Sequence, residues 1–217
     1  MKNKYKLAVF DLDGTILDTA EGILASVEYV VEKFGLPKLK KEILSSFIGP
    51  PIQDSFSKYY GLTENMLKVA TTAFRDNYSS KTLLLAKPYD GIYELFDYLS
   101  SRGIKIAVAT YKREDYALKL LHHFGVNKYT SIMYGADPEN QFKKKDIITK
   151  CIQQANMLNA IEHCVMVGDT FYDAVGAEEL NVDFIAVTYG FGFKKKEKDI
   201  NIKYYASSPI DIMNYIT

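Results

Sequence analysis

Five short apolar runs, at residues 6–10, 105–110, 131–134, 164–168 and 183–188, are separated by stretches of helical periodicity, and no other feature constrains the fold as much. The runs are continuous rather than alternating, as in strands buried on both faces. Such strands need helical crossovers, which keep consecutive strands parallel. The helical spacing is present between the runs. Ile92, Leu95, Phe96 and Leu99 are closed by Gly103; Ala117, Leu120, Leu121 and Phe124 are closed by Gly125; Ile147, Ile148, Cys151, Ile152 and Ala155 form a third stripe. The pattern predicts an α/β fold: a Rossmann-like parallel sheet with helices on both faces.

Residues 19–85 interrupt the alternation, with helical periodicity and turns but no strand-like run. Ile23, Leu24, Val27, Val30, Val31 and Phe34 make an amphipathic helix that Gly35 can stop. Gly49-Pro50-Pro51 reads as a turn, and Thr63 as the N-cap of a helix carrying Val69, Ala70, Ala73 and Phe74. Pro88-Tyr89-Asp90-Gly91 marks the return to the α/β pattern. The expected organisation is a core of residues 1–18 and 86–217, with a small all-helical domain, residues 19–85, inserted after the first strand. The charge run at 194–199 reads as a solvated loop.

Lys+Arg and Asp+Glu both number 27, so no net field draws the chain to nucleic acid or to an anionic membrane. No stretch approaches the about 18 apolar residues of a membrane helix, and the first apolar run is too short for a secretory signal. Cys151 and Cys164 read as core residues, with neither disulfide nor zinc-ligand spacing. His122, His123 and His163 are scattered away from the acidic motifs. These features favour a cytoplasmic protein, monomer or homodimer, that acts on a small molecule.

Chemistry concentrates at the ends of the strand-like runs. Asp11-Leu12-Asp13-Gly14-Thr15 follows the first run directly, and in an open parallel sheet the carboxyl ends of the strands form the ligand crevice. If Gly14 turns the chain at once, two carboxylates can share one reacting phosphate. One attacks phosphorus while the other moves the leaving-group proton. Val165-Met166-Val167-Gly168-Asp169 brings a further carboxylate to a strand end, with Asp173 four residues on. Two acidic clusters in one crevice repel unless a cation lies between them, and oxygen-only donors suit Mg2+. Thr110, after the second run, offers a hydroxyl to a phosphate oxygen. Lys144, at the start of the third helical stripe, can neutralise charge there. Lys143, Lys144 and Lys145 are consecutive, and spacing alone does not choose among them. Arg75 and Lys112 read as surface charges.

Together these motifs resemble the haloacid dehalogenase-like hydrolases. Val9-Phe10-Asp11-Leu12-Asp13-Gly14-Thr15 is similar to the first motif of that family and Val108-Ala109-Thr110 to the second. Lys144 is similar to the lysine of the third, and Gly168-Asp169-Thr170 with Asp173 to the fourth. The order is preserved, and the helical insert resembles the family's small cap. The resemblance implies Asp11 as nucleophile and metal ligand. It implies Asp13 as general acid and base, with its backbone carbonyl on Mg2+, and Asp169 as the other direct metal ligand. Asp173 would support the metal's waters. Thr110 and Lys144 would hold the phosphoryl group, with Gly14, Thr15 and Tyr111 beside it. A second carboxylate at Asp13 favours phosphatases over the dehalogenase branch.

Within the family the likeness is to phosphoglycolate phosphatases, a pyrophosphatase branch and nucleotidase-like proteins. Phe47-Ile48-Gly49-Pro50-Pro51-Ile52-Gln53-Asp54-Ser55-Phe56 resembles their cap loop. Two positions depart from the phosphoglycolate pattern: Lys145-Asp146-Ile147 replaces a proline-rich sequence, and Tyr111 stands where a small or amide residue is common. The implied activity is Mg2+-dependent hydrolysis of a small phosphorylated metabolite such as phosphoglycolate, a nucleoside monophosphate or pyrophosphate. The alternatives are a phosphomutase, a receiver-type phosphoacceptor domain and a catalytically silent regulatory relative. Gly190-Phe191-Gly192 lacks the third glycine of a dinucleotide-binding turn.

Overall fold

Six parallel strands make the central sheet: β1 (Leu7–Phe10), β4 (Lys105–Arg113), β5 (Met133–Ala136), β6 (Cys164–Gly168), β7 (Asp183–Val187) and β8 (Tyr204–Ala206). Their spatial order is β5-β4-β1-β6-β7-β8, with every neighbouring pair parallel. Two short strands, β2 (Leu17–Asp18) and β3 (Lys87–Pro88), pair antiparallel as a separate ribbon. The computed structural model describes residues 3–139, 141–193 and 202–216, so the charge run at 194–199 lies outside the described residues.

β1 shows why the apolar runs are continuous. Ala8 and Phe10 enter one core cluster and Leu7 and Val9 the other, and all four are buried. Strand alternation therefore supplies both faces of the sheet at once. On the first face lie α5 (Ile92–Ser101), α6 (Glu114–His123) and α9 (Pro209–Ile216). On the second lie α7 (Lys144–Gln154) and α8 (Phe171–Glu178). Cys151 and Cys164 are buried and unbridged, as expected.

Between β2 and β3 the regular structure of the described residues is entirely helical: α1 (Ala20–Lys33), α2 (Lys41–Leu44), α3 (Ile52–Tyr60) and α4 (Glu64–Asn77), followed by a π-helical turn over Tyr78–Thr82. Gly35 closes the first helix in the left-handed region, at φ +60°. The Thr63 hydroxyl accepts the Met66 N–H at the start of α4, so both expected punctuation marks act as such. Phe47, Phe56, Phe74 and Tyr78 pack edge to face or face to face at centroid separations of 5.5–6.3 Å. A buried hydroxyl–amide knot of Ser26, Asn77 and Thr82 ties α1 to the end of α4.

Strands run outward from β1 in both directions: β4 and β5 on one side, β6 to β8 on the other. A crevice opens at such a switch of strand order, at the carboxyl ends of β1, β4 and β6. Asp11 and Asp169 directly follow β1 and β6, and Thr110 lies in the last half of β4. Three features exceed the sequence reading, and the two-residue strands of the β2–β3 ribbon are the first. β8 has too few residues to give a periodic signal. β4 continues to Arg113, three residues beyond its apolar run, with a register irregularity against β5 between Ala109 and Arg113.

Candidate active site

The Asp11 N–H donates to the Val167 carbonyl at 2.9 Å, continuing the sheet ladder one residue past β1 and seating Asp11 between β4 and β6. The chain then turns at once. The Leu12 carbonyl accepts the N–H groups of Ile16 and Leu17, both at 3.0 Å. Gly14 adopts φ +83°, and a Cβ at that position would collide with the Asp169 carboxylate. Only glycine satisfies both the turn and the close approach. The Asp13 side chain swings aside: its Oδ1 accepts the Thr19 hydroxyl at 2.5 Å and lies 3.1 Å from Lys112 Nζ.

Asp169, past the end of β6, is fully buried. Its Oδ2 accepts backbone N–H groups from Phe191 at 2.7 Å and Gly192 at 3.1 Å, while Oδ1 has no hydrogen-bond partner. A Cβ on Gly190 or Gly192 would strike Asp169, so these glycines form a backbone cradle for a carboxylate. Asp173 makes a capping box with Thr170 at the start of α8, accepting its N–H at 3.0 Å and its hydroxyl at 2.7 Å. The other Asp173 oxygen points into the site.

Lys144 resolves the choice among three consecutive lysines. Its ammonium lies 2.5 Å from Asp11 Oδ1 and 2.5 Å from Asp173 Oδ1, with the side chain only 4% exposed. Lys143 is exposed, and Lys145 reaches out to Glu179 at 3.3 Å. A sequence signal existed. Lys144, Ile147, Ile148 and Cys151 follow i, i+3, i+4, i+7 spacing, so Lys144 lies on the apolar stripe and its two neighbours do not. The Tyr111 hydroxyl accepts the Lys144 backbone N–H at 2.8 Å, holding the first turn of α7 in place. Thr110 is buried, and its hydroxyl accepts the Lys112 N–H at 3.1 Å. The Thr15 hydroxyl is buried without a partner.

Charge accounting shows what the cluster lacks. Asp11, Asp13, Asp169 and Asp173 are buried carboxylates, against the two buried ammoniums of Lys112 and Lys144. Burial holds the Asp11 carboxyl well above its usual range; Lys144 opposes this, while Asp173, Asp169 and Asp13 reinforce it. Burial, then Asp173, pushes Asp169 up to about 7 against the pull of its two N–H donors. Burial works to lower the Lys144 ammonium, yet Asp11 and Asp173 hold it above the ordinary lysine range. Oxygens of Asp11, Asp169 and Asp173 lie within 4.8 Å of one another. Three hard oxygen donors, an orphaned Asp169 Oδ1 and two uncompensated negative charges fit a divalent cation of the Mg2+ type.

One sequence expectation is corrected. Lys112 is not a surface charge: its side chain is 7% exposed, and Nζ bonds the Tyr78 hydroxyl at 2.8 Å as well as facing Asp13. Burial alone would lower this ammonium, but Asp13 and Tyr78 together hold it above the usual lysine range. Lysine is rarely buried unpaired, and the partners come from 34 and 99 residues away in sequence, Tyr78 and Asp13, which no local pattern reveals. Arg75 is half-buried, donates to Gln53 at 3.3 Å, and lines a cavity beside Asp13 with Gly49, Pro51, Tyr78 and Lys112. Thr19, Tyr78 and the Phe191–Gly192 amides are site groups that the motifs did not mark. The three histidines stay outside the acidic cluster.

The chain is similar to known proteins over most of its length. The sequence profile of the haloacid dehalogenase-like hydrolases matches residues 8–187. A 5'-nucleotidase of Pseudomonas aeruginosa is 33% identical over 189 residues, covering 87% of this chain and 85% of the relative. A phosphoglycolate phosphatase of Agrobacterium fabrum is 31% identical, covering 85% and 81%. The crystal structure of a predicted phosphatase from Clostridium acetobutylicum superposes with a TM-score of 0.89 at 34% identity, over 98% of both chains. Among the described residues no helix is long and apolar enough to cross a membrane.

Proposed function

The chain belongs to the haloacid dehalogenase-like hydrolases, and on that premise we propose that it is a Mg2+-dependent phosphatase of small phosphorylated metabolites, acting through an aspartyl-phosphate on Asp11. The observation that carries the reading is the Lys144 ammonium held between Asp11 and Asp173, beside an Asp169 oxygen with no partner. In this reading Asp11, Asp169 and the Asp13 backbone carbonyl hold Mg2+, and Asp173 supports its waters. The ion neutralises charge on the phosphoryl oxygens when bound.

An Asp11 carboxylate oxygen forms the new bond to phosphorus as the bond to the leaving-group oxygen breaks, and Asp13 gives that oxygen its proton. Asp13 then takes a proton from water, whose oxygen attacks phosphorus, frees the Asp11 carboxylate and releases inorganic phosphate. Lys144 and the hydroxyls of Thr110 and Thr15 meet the phosphoryl oxygens, with the Gly14 turn and Tyr111 beside them. The buried Thr15 hydroxyl without a partner supports that assignment. Residues 19–85 act as a cap whose loop lies across the crevice. Gly49, Pro50, Pro51, Ile52 and Gln53 line the cavity next to Asp13, which supports that role. Its closure excludes bulk water in the first step.

The test is phosphate release from phosphoglycolate, pyrophosphate, nucleoside monophosphates and sugar phosphates, with and without Mg2+, in wild type and Asp11→Asn. Metal-dependent release that the variant loses is the expected result, and the preferred compound names the substrate. Release that survives Asp11→Asn would overturn the nucleophile. No release from any compound would point to a mutase or a silent relative.

A further inference from the structure

The Lys112 side chain bridges Tyr78, just past the end of α4, to the carboxylate of Asp13. The Lys112 ammonium stands 3.1 Å from Asp13 Oδ1 and 2.8 Å from the Tyr78 hydroxyl. Tyr78 is itself 2% exposed, held face to face with Phe74 at 5.5 Å and edge-on to Tyr116 of α6 at 5.7 Å. The irregular register of β4 after Ala109 aims Lys112 into this position, and the Thr110 hydroxyl accepts its backbone N–H at 3.1 Å.

We propose that Lys112 is a positioning residue for Asp13 and that Tyr78 is the latch through which the helical segment sets it, so that proton transfer to the leaving group is efficient only with the segment closed. This rests on the reading of Asp13 as general acid and base. Three observations carry it. Both side-chain donors to Asp13, the Thr19 hydroxyl and the Lys112 ammonium, converge on Oδ1, which fixes the carboxyl plane and leaves proton exchange to Oδ2. The ammonium is desolvated, so its burial is tolerated only while Asp13 and Tyr78 both pair with it. Tyr78 belongs to the helical segment, whereas Asp13 and Lys112 belong to the sheet. If the segment lifts, the Tyr78 hydroxyl leaves and water reaches the pair. The attraction then weakens about fourfold as the local dielectric rises from about 20 to about 80. Asp13 thereby loses its fixed orientation when the crevice opens. Arg113, the next residue, is engaged with Asp115 at 2.6 and 2.7 Å and cannot replace Lys112.

Leaving groups separate this role from a structural one. An alkyl phosphate needs a proton on its departing oxygen, and p-nitrophenyl phosphate does not. The measurement is single-turnover phosphorylation of Asp11 with each compound in Mg2+, in wild type, Lys112→Met, Lys112→Arg and Tyr78→Phe. Lys112→Met is expected to slow the alkyl phosphate by roughly 100-fold, the scale of lost general-acid catalysis, and p-nitrophenyl phosphate by less than about threefold. Lys112→Arg should recover part of the loss. Tyr78→Phe keeps the ring packing and removes only the hydroxyl, so it folds even if Lys112→Met does not. It should slow the alkyl phosphate roughly five- to tenfold, with KM nearly unchanged. Equal slowing of both compounds in Tyr78→Phe, or no slowing of either, would overturn the proposal. A wild type that phosphorylates Asp11 with neither compound would instead sink the phosphatase reading beneath it.

Discussion

The excess of buried negative charge makes Asp169→Asn a substitution whose stabilising effect should shrink with metal. In the metal-free protein Asp169 faces Asp11 and Asp173 within 4.8 Å, and each such pair repels by about 3.5 kcal/mol at an effective dielectric of 20. Lys144 offsets part of this. Burial first, and then Asp173, push the Asp169 carboxyl up to about 7 from an ordinary 3.8. The unfolded chain therefore loses this proton near pH 4, whereas the folded, metal-free chain keeps it to about pH 7. Stability falls across that window as pH rises, by about 4 kcal/mol once pH is above 7, at about 1.4 kcal/mol per unit. Asn keeps an acceptor for the Phe191 and Gly192 N–H groups and carries no charge. Metal-free Asp169→Asn should accordingly melt roughly 8–16 °C above metal-free wild type at pH 8, with the gap closing towards pH 4. Mg2+ narrows the gap. At 100 times its dissociation constant it should add about 2.7 kcal/mol to wild type, roughly 5–11 °C, and little to the variant. The assay is thermal unfolding in chelator and in Mg2+ at matched ionic strength, at several pH values. Equal Mg2+ shifts in both proteins, or a metal-free variant less stable than wild type at pH 8, would refute the electrostatic account of the site.

Two further substitutions test its parts. Lys144→Met should lower turnover by at least about 100-fold, because the ammonium between Asp11 and Asp173 is lost, while Lys143→Met and Lys145→Met stay within about twofold of wild type. Steady-state kinetics on the three proteins would show whether the structure selects the correct lysine. Gly14→Ala combines φ +83° with a Cβ that meets the Asp169 carboxylate, and should cost at least about 1–3 kcal/mol and abolish the Mg2+-induced rise in melting temperature. A normal Mg2+ response in that variant would mean that the loop after Asp13 need not lie against Asp169.

Legibility in the sequence followed how local each determinant was. Asp11 and Asp169 were readable because an apolar run forces a strand, and the residue after its last apolar position must emerge at the crevice. Asp173 and Thr170 were readable for a similar reason, since a capping box is set by spacing along one helix. Lys144 was half legible: three lysines compete by position, yet only one shares the phase of Ile147, Ile148 and Cys151. Lys112 was misread. Solvent is the usual place for a lysine, and the carboxylate and tyrosine that make its burial tolerable lie far away along the chain.

The sequence by itself therefore determined the parallel α/β sheet, the helical interruption and the two acidic strand ends, all consequences of periodicity and of residues within a few positions of one another. Tertiary structure alone decided that Lys112 answers Asp13, that Phe191 and Gly192 cradle Asp169, and that Tyr78 reaches Lys112. The physical reason is that a buried charge is tolerated only by the partners that surround it in space, and folding brings those partners from opposite ends of the chain.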